Sequence, residues 1–260
     1  MFFDHVKHVL LERNPQDKTV QVNNIYSELL AGKLDLVVHE DINAIEIPGR
    51  PDKPELVHPS QVARRKLNTL QGRIALVHAI CHIEFNAINL ALDACYRFQC
   101  MPKQYYLDWM RVAAEESKHF LLLSERLLQL GSSYGELTAH NGLWEMALKT
   151  RHSVVERMAL VPRVLEARGL DVTPGMIKRL AAVGDKETVA ILKVILHEEI
   201  GHVEIGTRWY RYACEQQSLD SEATFLELLK QYEVSVGAGP LHTQAREQAG
   251  FSELELKALS

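Results

Sequence analysis

Residues 113–123 read AAEESKHFLLL, and this stretch combines the apolar periodicity of a buried helix with two ionisable side chains. Glu116 and His119 stand three residues apart, so in an α-helix both side chains project from one face and reach towards one point. The neighbours of Glu116 on that face are apolar, whereas Glu115 lies about 100° away and is expected at the surface. An ionised carboxylate is costly to bury alone, and a bound cation would offset that cost.

The same pattern occurs a second time, in LHEEIGHVEIG at 196–206. Glu199 and His202 are again three residues apart, and apolar residues surround Glu199 on its helical face. A single Glu-x-x-His is weak evidence, because the spacing arises by chance in many exposed helices. Two copies on two different apolar helices predict side chains that converge on transition-metal ions.

The middle of the chain is helical by its pattern: apolar residues recur at three- and four-residue spacing, and glycine and proline are sparse. This spacing predicts four long helices, which we call helices A to D, at about 67–98, 103–130, 142–168 and 185–217. Helix C is expected to stop at Gly169. A short helix with Thr173 as its N-cap and Pro174 in its first turn is expected to follow.

The two ends of the chain predict smaller helical elements. Residues 1–33 indicate two short helices, and the proline-rich residues 45–60 are expected to run extended over the surface. A further helix should follow Asp220, then a break at GAGP (237–240), then a last helix opened by the capping box of Ser252 and Glu255.

These elements predict an all-α fold, a ferritin-like four-helix bundle with N- and C-terminal helical extensions. The expected domains are a helical and proline-rich extension at 1–65, the bundle at 66–217, and a C-terminal helical extension at 218–260 that packs on the bundle.

Helices A and C each offer a further carboxylate. Glu84 lies on the apolar face of helix A, 32 residues before Glu116, so a hairpin that turns near residue 100 brings both to the same depth. Helix C offers Glu166, at the edge of its apolar stripe, and Glu156, nearly opposite that stripe. Glu166 precedes Glu199 by 33 residues, which echoes the first hairpin, so we take Glu166 as the candidate and keep Glu156 as the alternative.

The candidate metal ligands therefore come from all four predicted helices: Glu84, Glu116, His119, Glu166, Glu199 and His202. Four carboxylates and two neutral imidazoles nearly balance two divalent cations, and this donor set favours two iron ions, with manganese as the alternative. His78 and His82 are close to Glu84 in sequence but point elsewhere, and they are expected to be core histidines. Arg163 and Arg168 would either orient a carboxylate or occupy a solvated helix end.

Composition limits the other classes of function. The chain has 260 residues and a net charge of −5, with no broad basic patch that would indicate nucleic-acid binding. Its four cysteines show no CxxC spacing, which is typical of a reducing compartment. Neither a signal peptide nor a membrane-spanning stretch is evident, so we expect a cytoplasmic protein without membrane contact.

Several long motifs carry a resemblance: PGRPDKPELV, HAICHIEFNAINLALD, GLWEMA, MALVPRVLEARGLDVTPGMI and EEIGHVEIGTRWYRY. Across Pro48–Tyr212 the chain resembles a bacterial ferritin-like family of unassigned function. More distantly, Glu-Ala-Arg at 166–168 and the double Glu-x-x-His are similar to the di-iron hydroxylases that modify isopentenyl-adenosine in tRNA. In those enzymes the glutamate that opens the motif is a metal ligand, which supports Glu166. The resemblance implies a di-iron centre but does not transfer the tRNA substrate.

The expected activity is that of an O₂-activating oxidoreductase or hydroxylase of an organic substrate, either a small molecule or a modified nucleoside. Its electrons would come from an external donor. Two alternatives stay open: a tRNA-modifying hydroxylase, and non-enzymatic iron or manganese binding for storage, detoxification or sensing. Nothing in the sequence decides between a monomer and an oligomer.

Overall fold

The computed structural model describes residues 1–39, 42–62, 65–234 and 239–260. Within these ranges the chain is all-α: helices alternate with loops, no strand forms, and Leu56 pairs with Ala139 as an isolated bridge. The chain divides into two compact units, unit 1 (Met1–Glu145) and unit 2 (Met146–Ser260).

Unit 1 contains, in chain order, α1 (Phe2–Leu10), α2 (Pro15–Leu30), a 3₁₀ turn (Pro59–Gln61), α3 (Leu70–Arg97) and α4 (Lys103–Gln129). Helices α3 and α4 form an antiparallel hairpin. Near the turn, the Tyr105 hydroxyl donates to Ala94 O. At the opposite end of the hairpin, the Cys81 thiol lies 3.4 Å from the Ser124 hydroxyl. The bounds of both helices lie within three residues of those predicted for helices A and B.

The N-terminal segment of unit 1 packs on the hairpin as two short helices, as predicted. Phe2 and Phe3 are fully buried, and both rings lie edge-on to Tyr106 at the start of α4. The proline-rich segment forms no helix before Pro59, and Leu56 in it makes the isolated bridge to Ala139. It is fastened by the Trp144 indole, which donates to Glu46 O at 2.8 Å.

The boundary between the two units falls within helix α5 (Gly142–Lys149), and the elements after it belong to unit 2. They are α6 (Val154–Leu160), a π-helical segment (Val161–Glu166), α7 (Ala167–Ala182), α8 (Lys186–Gln216), α9 (Ser221–Gln231), α10 (Thr243–Gln248) and α11 (Glu253–Leu259). Helix α8 matches predicted helix D, and α11 opens with the predicted reciprocal capping box of Ser252 and Glu255. The first two residues of the GAGP break lie outside the described residues.

Predicted helix C is wrong in its details. The chain leaves the helix after Lys149 and re-enters it at Val154, with Ser153 as an N-cap whose hydroxyl accepts from Glu156 N at 3.3 Å. The expected stop at Gly169 and the separate short helix after it do not form. Helix α7 instead continues through Gly169 and Pro174 to Ala182, because the backbone at Gly169 stays outside the left-handed region that ends a helix.

The π-helical segment is the distorted part of this long helix. Pro162 lies in it and has no N–H to donate, so the regular ladder is interrupted there. Helix α8 approaches closely at this point: a Cβ added to Gly206 would lie 2.5 Å from Pro162 Cβ. A glycine in α8 is therefore what lets the widened turn and its proline ring fit.

Arg163 fastens the C-terminal helices to the π-helical segment. Its buried guanidinium forms an ion pair of 2.7 Å with the buried carboxylate of Glu255 in α11. The same group lies over the rings of Tyr210, Phe225 and Phe251, at 4.7, 4.2 and 4.6 Å from their centroids. Arg163 is thus a core residue that binds α11, rather than part of a solvated helix end.

Helix α3 is, among the described residues, the one helix long and apolar enough to cross a membrane by length and composition. In the structure, 72% of its most apolar 18-residue stretch is buried, as in the core helix of a soluble protein.

Candidate metal centre

Three candidate ligands come together in unit 1, in the middle of the α3–α4 hairpin. His119 Nδ1 lies 3.4 Å from a carboxylate oxygen of Glu84 and 3.3 Å from one of Glu116. The ligand atoms of all three residues lie within 4.8 Å of one another. Glu84 is 4% exposed, Glu116 2% and His119 not at all, so all three side chains are buried.

Local packing explains why these side chains are buried. The residues one turn away from Glu116 on α4, Val112, Ala113 and Phe120, are all buried. Glu115, one position away, is partly exposed and pairs instead with Arg111 at 3.0 Å. Helical periodicity thus sends one of two adjacent carboxylates into the core and the other towards solvent.

The buried charges perturb one another strongly. Burial, and then the negative charge of Glu116, raise the pKa of Glu84 to about 8. Burial alone would lower the pKa of His119, but its hydrogen bonds to Glu116 and Glu84 outweigh that effect and raise the pKa to about 11. Below about pH 8, protons on Glu84 and His119 therefore offset the buried negative charge, and a bound cation could take their place.

A buried aromatic cluster includes two residues that are next to these ligands in sequence. Phe85 directly follows Glu84, and Phe120 directly follows His119. The two phenylalanines are each 1% exposed, and their ring centroids lie 5.4 Å apart. Tyr134, from the loop after α4, packs against both rings. Because the three ligand side chains are themselves buried, electrostatic interactions among them are stronger than they would be in water.

Unit 2 carries the second Glu-x-x-His on α8. His202 Nδ1 lies 3.6 Å from a carboxylate oxygen of Glu199, and His202 is fully buried while the Glu199 side chain is 13% exposed. Spacing and burial resemble those of Glu116 and His119, as the repeated sequence pattern predicts.

The two carboxylates considered for helix C differ in their surroundings. Glu166 is partly buried and ends the π-helical segment. Glu156, in α6, accepts a hydrogen bond from the Tyr232 hydroxyl of the loop after α9 and lies 3.1 Å from His152 Nε2. Glu156 therefore ties α6 to the C-terminal end of α9.

His78 and His82 are core residues that hold the loop after α4. The backbone N–H of Gly135 donates to His78 Nε2 at 3.0 Å, and His82 Nδ1 lies 2.9 Å from the Tyr134 hydroxyl. Burial lowers the pKa of each histidine to about 4, so both are neutral at physiological pH. The sequence did not single out Tyr134, because a lone tyrosine in a loop has no periodic pattern to mark it.

The donor set in unit 1 could hold a metal ion. Two carboxylates and one imidazole offer ligand atoms that lie within 4.8 Å of one another, and none of the three is a thiolate. The four cysteines are free, and the Cys81 thiol, which lies near the group, is 3.4 Å from the Ser124 hydroxyl.

The fold and this group define an all-helical protein whose buried Glu and His side chains could hold a metal ion. The chain belongs to a family described as "Protein of unknown function (DUF455)", whose family model matches residues 11–257. An uncharacterized protein of Haemophilus influenzae is 46% identical over 266 residues, which cover 98% of this chain and 92% of that protein. No solved structure shows significant similarity to the chain.

Proposed function

We propose that the protein is a ferritin-like, di-iron oxidoreductase that hydroxylates an organic substrate with O₂, with manganese as the alternative metal. The observation that carries the proposal is the buried group of Glu84, Glu116 and His119, which combines two carboxylates with one imidazole. A core of this kind has no structural need for three ionisable residues, and an apolar substitute would be easier to bury.

Under this proposal, Glu166, Glu199 and His202 complete the ligand set. Support comes from the repeated Glu-x-x-His, from the similar burial of the two histidines, and from the matching 32- and 33-residue intervals. Each unit offers a helical hairpin, α3–α4 in unit 1 and α7–α8 in unit 2, and two such hairpins make up a ferritin-like four-helix bundle.

An iron pair would supply the one-electron steps and the O₂ activation that amino-acid side chains lack. The protein residues have separate tasks. Glu116 and His119 would hold one ion, Glu199 and His202 would hold the other, and Glu84 and Glu166 would supply the remaining carboxylates. Phe85 and Phe120, which are buried and in contact with each other, would help to exclude water from this part of the hairpin. The free cysteines agree with a cytoplasmic location, where an external reductase would deliver electrons.

Metal content tests the proposal directly. The wild-type protein, purified from cells grown with iron and manganese, is expected to carry about two metal ions per chain. Glu116→Ala and His119→Ala should lose most of that metal, whereas Glu115→Ala, which changes the adjacent carboxylate, should keep it. A folded wild-type protein that carries neither iron nor manganese would contradict the proposal, and so would equal loss in the Glu115 variant.

Activity is tested next, on the reduced, iron-loaded protein. O₂ uptake should be stimulated by one class of organic compound and accompanied by a hydroxylated product, and Glu116→Ala should abolish both. Small organic acids and modified nucleosides are the first two classes to compare. Growth of a ferric mineral with many irons per chain would instead identify a storage protein.

A further inference from the structure

Unit 2 contains a cavity of about 660 Å³ between α7 and the chain that follows α9. This volume falls within the range of small-molecule binding sites. Its walls are mostly apolar, and they are formed by Met146, Val164, Leu165, Val172, Pro174, Leu241 and Leu259. A surface hollow of this size and composition can remove a sizeable hydrocarbon body from water.

The cavity lies on the opposite side of α7 from the candidate metal ligand. Six α7 residues line it, and five of them, Arg168, Asp171, Val172, Gly175 and Arg179, follow helical spacing and share one face. The sixth, Pro174, lies closer to the Glu166 side of the helix, at about 80° from Glu166. At about 100° per residue, Glu166 lies about 160° from Arg168 on the helix. The cavity is therefore a second site, and it does not depend on the proposed metal centre.

The charged side chains around the cavity differ in whether they have a hydrogen-bond or ion-pair partner. Arg246 is 3% exposed and binds Asp171 through two nitrogens, at 3.0 and 2.7 Å, so the charge of Asp171 is neutralised. Arg168 is exposed and has no hydrogen bond or ion pair within the described parts of the chain. Arg179 also lines the cavity, and its Nε donates to Gly175 O at 3.2 Å.

This leaves the cavity with a cationic wall beside apolar ones. Besides Asp171, the one acidic residue among the described lining residues is Glu233, which is exposed to solvent. A guanidinium such as that of Arg168 binds carboxylates and phosphates through paired N–H donors, and it does so best where water is partly excluded.

We propose that this cavity binds an organic anion with a hydrocarbon body, whose carboxylate or phosphate pairs with Arg168 while the body packs against Leu165 and Val172. The apolar walls select for a chain or ring of about ten carbons, and the arginines select for negative charge. Such a ligand would bind α7 and the C-terminal segment together, and it would stabilise unit 2 through both.

Decanoate is the probe, and decyltrimethylammonium is its control, with the same hydrocarbon body but the opposite charge. Titration calorimetry on the full-length protein should show saturable decanoate binding and binding of the ammonium compound that is at least tenfold weaker. Decyl phosphate, tested in parallel, identifies which acidic head is preferred. No binding of decanoate at millimolar concentration, or equal binding of the two charges, overturns the proposal.

Two pairs of variants assign the binding to this cavity. Arg168→Gln should weaken decanoate binding about tenfold, whereas Lys178→Gln, an exposed cation on the same helix outside the cavity, should leave it unchanged. Val172→Asp should also weaken binding, and Val194→Asp is its control, because both valines are 40% exposed and only Val172 lines the cavity.

Equal effects within either pair would overturn the assignment to this site. The metal content of Arg168→Gln should stay at the wild-type value, because Arg168 faces away from Glu166. Decanoate binding and metal binding can therefore fail independently, and the two proposals are tested separately.

Discussion

Lys18 is buried in unit 1 in a way that its sequence position does not reveal. Its side chain is fully buried at the start of α2, and its ammonium lies 3.1 Å from Leu10 O and 2.9 Å from Gly49 O, with Asn89 Oδ1 as a third acceptor. Three acceptors match the three N–H bonds of an ammonium group. Lys18 thus joins α1, the proline-rich segment and α3.

Burial lowers the pKa of Lys18 to about 7, from a usual value near 10.5. Between these two pH values the unfolded chain holds a proton on Lys18 that the folded protein has released. The stability of the fold should therefore rise with pH from 7 towards 10.5. Below pH 7 Lys18 is protonated in both states, so it adds no pH dependence there.

We predict that Lys18→Met removes this pH dependence. The free energy of unfolding of the metal-free wild type, measured in urea, should rise relative to that of Lys18→Met by up to about 1.4 kcal/mol per pH unit between pH 7.5 and 9.5. Lys33→Met, which changes an exposed lysine, should run parallel to the wild type. If the Lys18 variant also ran parallel, the three acceptors would be keeping the ammonium charged throughout.

Individual residues differ in how much their sequence context reveals. Glu84, Glu116 and His119 could be identified because each interrupts an apolar helical stripe, and a stripe is a periodic signal. Lys18 and Arg163 are as deeply buried, but their partners are a backbone carbonyl in a loop and a carboxylate 92 residues away, respectively. No local pattern encodes partners that only tertiary packing brings together.

At the scale of elements, the long helices were predictable and the bent one was not. Helices α3, α4 and α8 follow their apolar periodicity to within three residues. In the α6–α7 region, Gly169 and Pro174 gave the usual signals of a helix end, yet tertiary packing carries the helix past both. The break before α6 had a usable signal, since Ser153-x-x-Glu156 is a capping-box pattern.

Two glycines in these helices should respond oppositely to the same substitution. Gly206→Ala places a methyl group 2.5 Å from Pro162 Cβ, so it should lower the free energy of unfolding by about 1–3 kcal/mol. Gly169→Ala meets nothing within 4 Å in a continuous helix, so it should raise stability by about 0.5–1 kcal/mol. Urea unfolding measures both changes, and a loss of stability in Gly169→Ala would mean that the helix ends there after all.

At the scale of the whole molecule, the six candidate ligands are divided equally between the two units. Tryptophan fluorescence can follow each unit separately, because Trp109 and Trp144 lie in unit 1, Trp209 lies in unit 2, and all three are buried. A Trp209→Phe variant reports on unit 1. The double variant Trp109→Phe/Trp144→Phe reports on unit 2.

If one centre takes ligands from both units, a chelator that removes the metal should lower the urea midpoint of both reporters. A metal present at about 100 times its dissociation constant should contribute about 2.7 kcal/mol to the stability of whatever it holds together. His202→Ala, made in unit 2, should then also cancel the metal dependence seen by Trp109 and Trp144. A metal held by Glu84, Glu116 and His119 alone predicts the reverse: only the unit 1 reporter responds to the chelator, and the His202 substitution leaves that response unchanged. The two outcomes differ in whether the unit 2 reporter responds and in whether His202→Ala abolishes the unit 1 response, so they distinguish a shared di-metal centre from a site confined to one hairpin.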